Sequence, residues 1–124
     1  MTRPRTRPHR GERGAVTAEL ALALPLLLAV TTGLVWLLTL ATAQSRVVDA
    51  SREAARAVAR GDDVGLARDL AVRIAPEGAR VTVSTEGDRV VVATTARVTG
   101  PGGLFAALPG VEVASRAVTT RESG

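Results

Sequence analysis

Residues 20–43, LALALPLLLAVTTGLVWLLTLATA, form a continuous stretch of 24 residues without a charged side chain. As an α-helix with a rise of about 1.5 Å per residue it is roughly 36 Å long, and the hydrocarbon core of a bilayer is about 30 Å thick. A chain of 124 residues is too small to surround so long an apolar helix, which disfavours a buried core helix. The stretch therefore predicts one membrane-spanning helix.

Arginines are concentrated before this stretch. The segment MTRPRTRPHRGERG, residues 1–14, contains five arginines and one glutamate, whereas the remaining chain has 11 arginines and 11 acidic residues. Its prolines and glycines, together with the lack of apolar periodicity, predict disorder in water. Because positive flanks stay on the cytoplasmic side, we expect a cytoplasmic N-terminus and an extracytoplasmic C-terminal part.

The composition argues against several classes of function. With Trp36 and Phe105 as the only aromatic residues, the chain has no stacking surface for bases, and no nucleic-acid partner is expected. It contains no cysteine, and its one histidine, His9, lies in the N-terminal segment, so the serines have no histidine base. Calcium-loop and P-loop patterns are missing as well. We predict no catalytic, cofactor-binding or metal-binding residues and no enzyme activity.

A cleaved secretory signal peptide is the main alternative for the apolar stretch. The sequence ATAQ at residues 41–44 offers a small-x-small cleavage site after Ala43. The apolar region of a signal peptide usually has about 7–15 residues, and this one is much longer. The membrane-spanning interpretation is therefore preferred.

Glu19 opens the apolar stretch. A carboxylate at the centre of a membrane helix costs roughly 2.5–3.5 kcal/mol on insertion scales, so it usually marks a partner or a function. In the simpler interpretation, Glu19 lies at headgroup depth beside Arg13 and has no special role.

The segment ERGAVTAELALALPLLLAVTTGLVW, residues 12–36, resembles the TadE-like family, which comprises minor pseudopilins of tight-adherence (Flp-type) pilus systems. The shared features are an arginine-glycine pair, small residues, a glutamate, and a proline followed by leucines. The alanine- and arginine-rich ASREAARAVARG, residues 50–61, extends the likeness, which covers about residues 12–61. Many relatives have a second acidic residue after the mid-helix glycine, whereas Gly33 is followed by apolar residues.

The resemblance implies roles for four residues. A prepilin peptidase would cut between Gly14 and Ala15 on the cytoplasmic face. Glu19 would then pair with the new α-amino group of a neighbouring subunit and set the register of assembly. Pro25 corresponds to the helix proline, and we expect a kink there, because proline removes the hydrogen bond to the carbonyl of Ala21.

By this resemblance, the protein is a structural minor pilin or pseudopilin of a Tad (Flp) type IV pilus or related secretion apparatus. Its partners would be membrane lipid, the prepilin peptidase, other pilin or pseudopilin subunits and the pilus assembly machinery, with no cofactor. It would be a single-pass protein of the cell membrane and part of a cell-surface pilus. The alternative is an uncleaved membrane-anchored, or a secreted, extracytoplasmic binding domain.

The rest of the chain predicts an α+β fold. The first helix should continue to Arg60 and stop at Gly61, with one apolar face. We expect a leader over residues 1–14, a helix over 15–61 that spans the membrane at about 20–43, and a small α+β domain over 62–124. The predicted apolar face of the helix consists of Val47, Ala50, Ala54, Ala55 and Val58.

A second, shorter helix and a small sheet complete the predicted fold. Asp62 or Asp63 can cap the helix, and Leu66, Leu70 and Ile74 fall on one stripe with Ala67 and Ala71 beside it. Gly87-Asp88 predicts a type II′ hairpin that pairs Thr85 with Val90, Val83 with Val92 and Val81 with Thr94. After a short helical turn, LFAAL, a third strand at 111–120 completes an antiparallel sheet. Its open edges predict strand pairing between subunits, with residues 91 and 118 as crosslinking positions.

Overall fold

The computed structural model describes residues 10–100 and 110–122, and it confirms the α+β class. The predicted LFAAL turn lies outside the described residues. The strands form one antiparallel sheet in the order β1-β2-β3. The elements are the helices α1 (Arg10–Ala59) and α2 (Val64–Ile74) and the strands β1 (Arg80–Glu86), β2 (Arg89–Val98) and β3 (Val111–Thr120).

Helix α1 begins at Arg10, five residues before the predicted start at Ala15. The prediction of disorder was therefore wrong for residues 10–14. No proline interrupts the chain between Pro8 and Pro25, and Glu12 in the first turn is favoured by the helix dipole. These two features allow the apolar helix to extend into the arginine-rich segment.

The chain divides into two compact units, Met1–Val35 and Trp36–Gly124. In the first unit, α1 leaves its apolar side chains uncovered; Leu22, for example, is 76% exposed. The described residues thus provide no core around this part of the helix, which is long and apolar enough to cross a membrane. The exposed large apolar residues here are Val16, Leu20, Leu22, Leu24, Leu26, Leu27, Leu28, Val30, Leu34 and Val35.

Four hydroxyl groups along α1 form hydrogen bonds within the helix. Each donates to the carbonyl oxygen four residues earlier, at distances of 2.7–3.1 Å. Such bonds spare a hydroxyl the cost of lacking a partner in an apolar environment. The donors are Thr17, Thr32, Thr42 and Ser45.

In the second unit, α1 ends at the predicted glycine. Gly61 has a φ of +97°, and its N–H donates to the Val58 carbonyl at 3.0 Å. The N–H of Asp62 donates to the Ala57 carbonyl at 3.0 Å, which completes a Schellman motif. This geometry turns the chain towards α2.

The N-cap of α2 is Asp63, one of the two predicted candidates. Its carboxylate accepts a hydrogen bond from the Leu66 N–H at 3.3 Å. Asp62 instead forms an exposed ion pair with Arg60 at 3.4 Å. Capping therefore uses the aspartate that directly precedes the helix.

The hairpin has the predicted register. Thr85 pairs with Val90, Val83 with Val92 and Val81 with Thr94. Gly87 has a φ of +59°, and none of the described non-glycine residues, Asp88 included, has a positive φ, as a type II′ turn requires.

Strands β1 and β3 form the two edges of the sheet, and β2 lies between them. Val91 on β2 pairs with Val118 on β3 within one chain. Cysteines at residues 91 and 118 would therefore face each other inside one subunit. These two positions were thus the wrong choice for an intersubunit crosslink. Strand pairing between subunits stays a prediction for β1 and β3.

The core of the second unit contains the predicted face of α1, since Val47, Ala50, Ala54, Ala55 and Val58 are all buried. The stripe predicted for α2 was wrong at Leu66, which is 67% exposed. Ala67 and Ala71 are the buried residues of α2, and they join the cluster formed by the α1 alanines and the sheet valines. Small side chains let these elements approach closely, which leaves Leu66 at the rim.

Candidate processing and assembly site

Four predicted residues, Gly14, Ala15, Glu19 and Pro25, lie in the first unit on helix α1, and all are exposed. Ala15 and Glu19 are four residues apart, so they occupy the same face, with about 5–6 Å between their Cβ atoms. Helix α1 thus places Glu19 one turn beyond the predicted cleavage bond.

The predicted cleavage bond, between Gly14 and Ala15, lies inside regular helix. Thr17 Oγ1 donates to the Arg13 carbonyl at 2.9 Å and so bridges the bond. A Cβ atom placed on Gly14 would meet no atom within 4 Å, and Gly14 has no positive φ. Packing and backbone conformation in this chain therefore do not require glycine here, although glycine costs about 1 kcal/mol relative to alanine in a helix.

Glu19 is the only charged residue from Ala15 to Val35. In the described part of the chain, Glu19 forms no ion pair within 4.0 Å, and Arg13 does not reach it. Its neighbours Val16 and Leu20 expose apolar surface. Among residues 10–100 and 110–122, the carboxylate thus has no counter-ion on an otherwise apolar surface.

Pro25 lies within α1, which continues through it. Proline has no N–H, so the Ala21 carbonyl lacks its usual helical donor. The kink at Pro25 stays a prediction.

The start of the second unit takes part in a core. Trp36 and Leu40 are half-buried and pack against a cluster that joins α1 to β2 and β3. The last turns of the predicted membrane span therefore contact the sheet. The buried members of this cluster are Ala43, Val47, Ala96, Val98 and Val113.

A polar contact that the sequence reasoning missed joins α1 to the sheet. The Ser51 hydroxyl donates to Thr94 Oγ1 at 2.7 Å and lies 3.4 Å from the Ser115 carbonyl oxygen. Ser51 and Thr94 have no exposed surface. The sequence contains a sign of this contact. Ser51 falls on the same helical stripe as Val47 and Ala54, and Thr94 falls on the apolar face of β2.

A second polar contact lies nearer the start of this unit. Gln44 Nε2 donates to the Ala114 carbonyl on β3 at 3.1 Å. At the opposite end of α1, the Glu122 N–H donates to the Ala59 carbonyl at 3.3 Å. Helix α1 and strand β3 therefore run in the same direction.

Comparison with known proteins finds one family model that matches part of the first half of the chain. The family model described as TadE-like protein matches residues 14–56, or 43 of the 124 residues. The predicted resemblance is confirmed, over a shorter range than 12–61. The match begins at Gly14, the residue before the predicted cleavage bond, and it includes Glu19 and Pro25.

The chain is also similar to a mycobacterial protein. The protein named Apoptosis inhibitor Rv3655c, from Mycobacterium tuberculosis, is 42% identical over 86 residues. The aligned region covers 69% of this chain and 62% of that relative, so the chain spans less than two thirds of its length. An alignment of 86 residues is longer than the family match, so the similarity extends beyond it. No solved structure matches the chain.

Proposed function

We propose, on the premise that residues 14–56 form a TadE-like segment, that the protein is a minor pilin or pseudopilin of a Tad (Flp) pilus system. A prepilin peptidase removes residues 1–14, and the mature subunit assembles through the first half of α1. The role is structural and not enzymatic. The partners are membrane lipid, the peptidase, other pilin subunits and the pilus assembly machinery.

The observation that carries this proposal is the uncompensated carboxylate of Glu19 on an apolar helix surface. Cleavage after Gly14 creates an α-amino group at Ala15, and such a group has an ordinary pKa of about 7.7–8.0. An opposite charge within about 4–6 Å in a poorly solvated environment favours the ionised form of both groups. A neighbouring subunit's amino group thus provides the counter-ion that Glu19 lacks among the described residues of its own chain.

The packing of Trp36 and Leu40 supports a particular depth for Glu19. If the second unit lies outside the membrane, the spanning segment ends near Val35 and not at Ala43. Residues 15–35 then span about 31 Å, close to the hydrocarbon thickness of about 30 Å. With the spanning segment at residues 15–35, Glu19 lies roughly 6 Å inside the hydrocarbon core. An unpaired carboxylate is costly there, so a counter-ion stabilises it strongly.

The proposed arrangement has three parts. The leader of residues 1–14 is cytoplasmic, residues 15–35 cross the membrane once, and the unit from Trp36 onwards is extracytoplasmic. In an assembled pilus this unit would be exposed at the cell surface, where tight-adherence systems act in cell adhesion.

Secretion after cleavage at Ala43 is the less favoured alternative. Ala43 is only 7% exposed and belongs to the cluster that includes Val98 and Val113. A cut after Ala43 removes Trp36, Leu40 and Ala43 from that core. This loss of apolar contacts argues against a secreted form.

Intact-mass spectrometry of the chain extracted from host membranes tests the proposal. A mature N-terminus at Ala15, found only when the prepilin peptidase is active, is the expected result. An N-terminus at Gln44 would support the secreted form, and an intact leader beside an active peptidase would support a simple membrane anchor. Either of these two results contradicts the proposal.

A further inference from the structure

One end of the second unit contains Trp36, which directly follows the proposed spanning segment in the chain. Trp36 and Leu40 pack against the cluster that contains Ala96, Val98 and Val113. The end of β2 and the start of β3 therefore lie at the Trp36 end of the unit. We call this the proximal end; the hairpin turn at Gly87 lies at the other end of the sheet.

Two arginines share an open cavity at the proximal end. Arg80 pairs with Thr95 across β1 and β2, and Arg97 pairs with Glu112 across β2 and β3. Together with Gly78 and Ala96, these four residues line the cavity. Two guanidinium groups facing one carboxylate give the lining an excess positive charge.

The two arginines of the cavity have N–H donors that no carboxylate among the described residues engages in an ion pair. Within residues 10–100 and 110–122, the one ion pair with an N–O distance of at most 4.0 Å joins Arg60 and Asp62. Glu112 therefore forms no ion pair with Arg80 or Arg97. A guanidinium has five N–H donors in a fork that matches the oxygens of a phosphate. The cavity thus offers two such forks and the Thr95 hydroxyl.

Arg97 is held at this position by the backbone before β3. A Cβ atom on Gly110 would lie 2.8 Å from Arg97 Cγ and 3.1 Å from the Val98 carbonyl oxygen. The aliphatic part of Arg97 therefore packs directly over Gly110. This contact limits where the guanidinium can reach.

The cavity lies at the end of the second unit that contains Trp36, the first residue after the proposed spanning segment. A bilayer is about 40–45 Å thick with its headgroups and about 30 Å without them, which leaves roughly 5–7 Å on each side. Leu40 lies about 6 Å beyond Trp36 along α1, and both pack with the residues on either side of Arg97. The hairpin end carries Glu86 and Asp88 together with Arg89 and Arg121, so these residues give it no excess positive charge to attract an anionic surface.

We propose that Arg80, Thr95 and Arg97 bind the phosphate of an anionic phospholipid headgroup. The inference rests on the membrane anchoring in the proposed function and does not depend on pilus assembly. Such binding gives the second unit an attachment to the membrane in addition to the anchoring by α1.

The single tryptophan of the chain, Trp36, provides the readout. The full chain is reconstituted in vesicles that contain brominated phosphatidylglycerol or brominated phosphatidylcholine at equal mole fraction, and quenching of Trp36 fluorescence is compared. About fivefold enrichment of phosphatidylglycerol is expected, the factor that corresponds to roughly 1 kcal/mol for a basic residue near an anionic surface. The Arg80→Gln/Arg97→Gln variant should lose this preference.

The matched control is Arg89→Gln/Arg116→Gln, which removes the same charge from exposed positions elsewhere on the sheet. It should retain the preference, and equal loss in both variants would overturn the proposal. Inorganic phosphate is added in a further arm; if it abolishes the preference, the site takes free phosphate and the lipid assignment fails. Equal quenching of Trp36 by both lipids would overturn the proposed headgroup site and leave the membrane anchoring intact. If neither lipid quenches Trp36, the membrane anchoring itself is overturned.

Discussion

The Ser51 hydroxyl on α1 lies 2.7 Å from the Thr94 hydroxyl on β2, and both side chains are completely buried. The bond lies within an interface formed otherwise by alanine and valine. Because a hydrogen bond requires a particular distance and angle, it fixes the position of the helix along the strand more sharply than apolar contacts do. Every buried side-chain nitrogen and oxygen in the described residues has such a partner.

Removing one partner of this pair should destabilise the second unit. Ser51→Ala removes the donor to Thr94, and Thr94→Val leaves the Ser51 hydroxyl with only the Ser115 carbonyl at 3.4 Å; each change is expected to cost about 1–3 kcal/mol. The double variant should cost less than the sum of the single variants, since neither hydroxyl is then stranded. Thermal unfolding of the full chain in detergent checks this, with Ser45→Ala as an exposed control; strictly additive losses would contradict the coupling.

Glu19→Gln should separate insertion from assembly. The apolar helix inserts at least as well, because it loses a costly carboxylate, while incorporation into pili falls about tenfold or more, the factor for about 1.4 kcal/mol of lost pairing. Membrane fractionation and pilus shearing measure the two quantities. Glu12→Gln is the matched control, since residue 12 is removed with the proposed leader. Wild-type incorporation of the Glu19 variant would favour the simple headgroup interpretation.

Gly14→Val should block removal of the leader. A Cβ atom at residue 14 meets no other described residue within 4 Å, so the fold is expected to persist and any effect arises at the peptidase. Gly11→Val introduces the same side chain three residues away, where a Cβ atom also meets no described residue within 4 Å, and should be processed normally. Intact mass of the membrane-extracted protein distinguishes the two forms. Equal trimming of both variants would show that Gly14 is not the recognised glycine.

Gly61→Ala should weaken the end of α1. The φ of +97° at this position is unfavourable for any residue with a Cβ atom, and a loss of about 1–2 kcal/mol is expected. Gly61→Asn should recover part of it, because asparagine tolerates left-handed conformations better. Gly33→Ala, at a helical position with no contact within 4 Å, is the control. Thermal unfolding that does not distinguish Gly61→Ala from Gly33→Ala would contradict the role of the turn.

Much of the fold follows from the sequence because the relevant forces act between near neighbours. Gly61 stops α1 through a conformation that favours glycine, and Gly87-Asp88 sets the hairpin register, which then pairs Val83 with Val92. The apolar run before Trp36 and the charge at Glu19 are likewise visible in the chain itself, and they carry the TadE-like resemblance that the family match confirms.

The tertiary structure decided what depends on residues distant in sequence. Local periodicity placed Leu66 in an apolar stripe with Ala67 beside it, but close packing buried Ala67 and left Leu66 exposed. Ser51 meets Thr94 across 43 residues of chain, and Arg80 shares a cavity with Arg97 only because β1 pairs with β2. Packing selects such partners by shape and hydrogen-bond geometry, which no local pattern encodes.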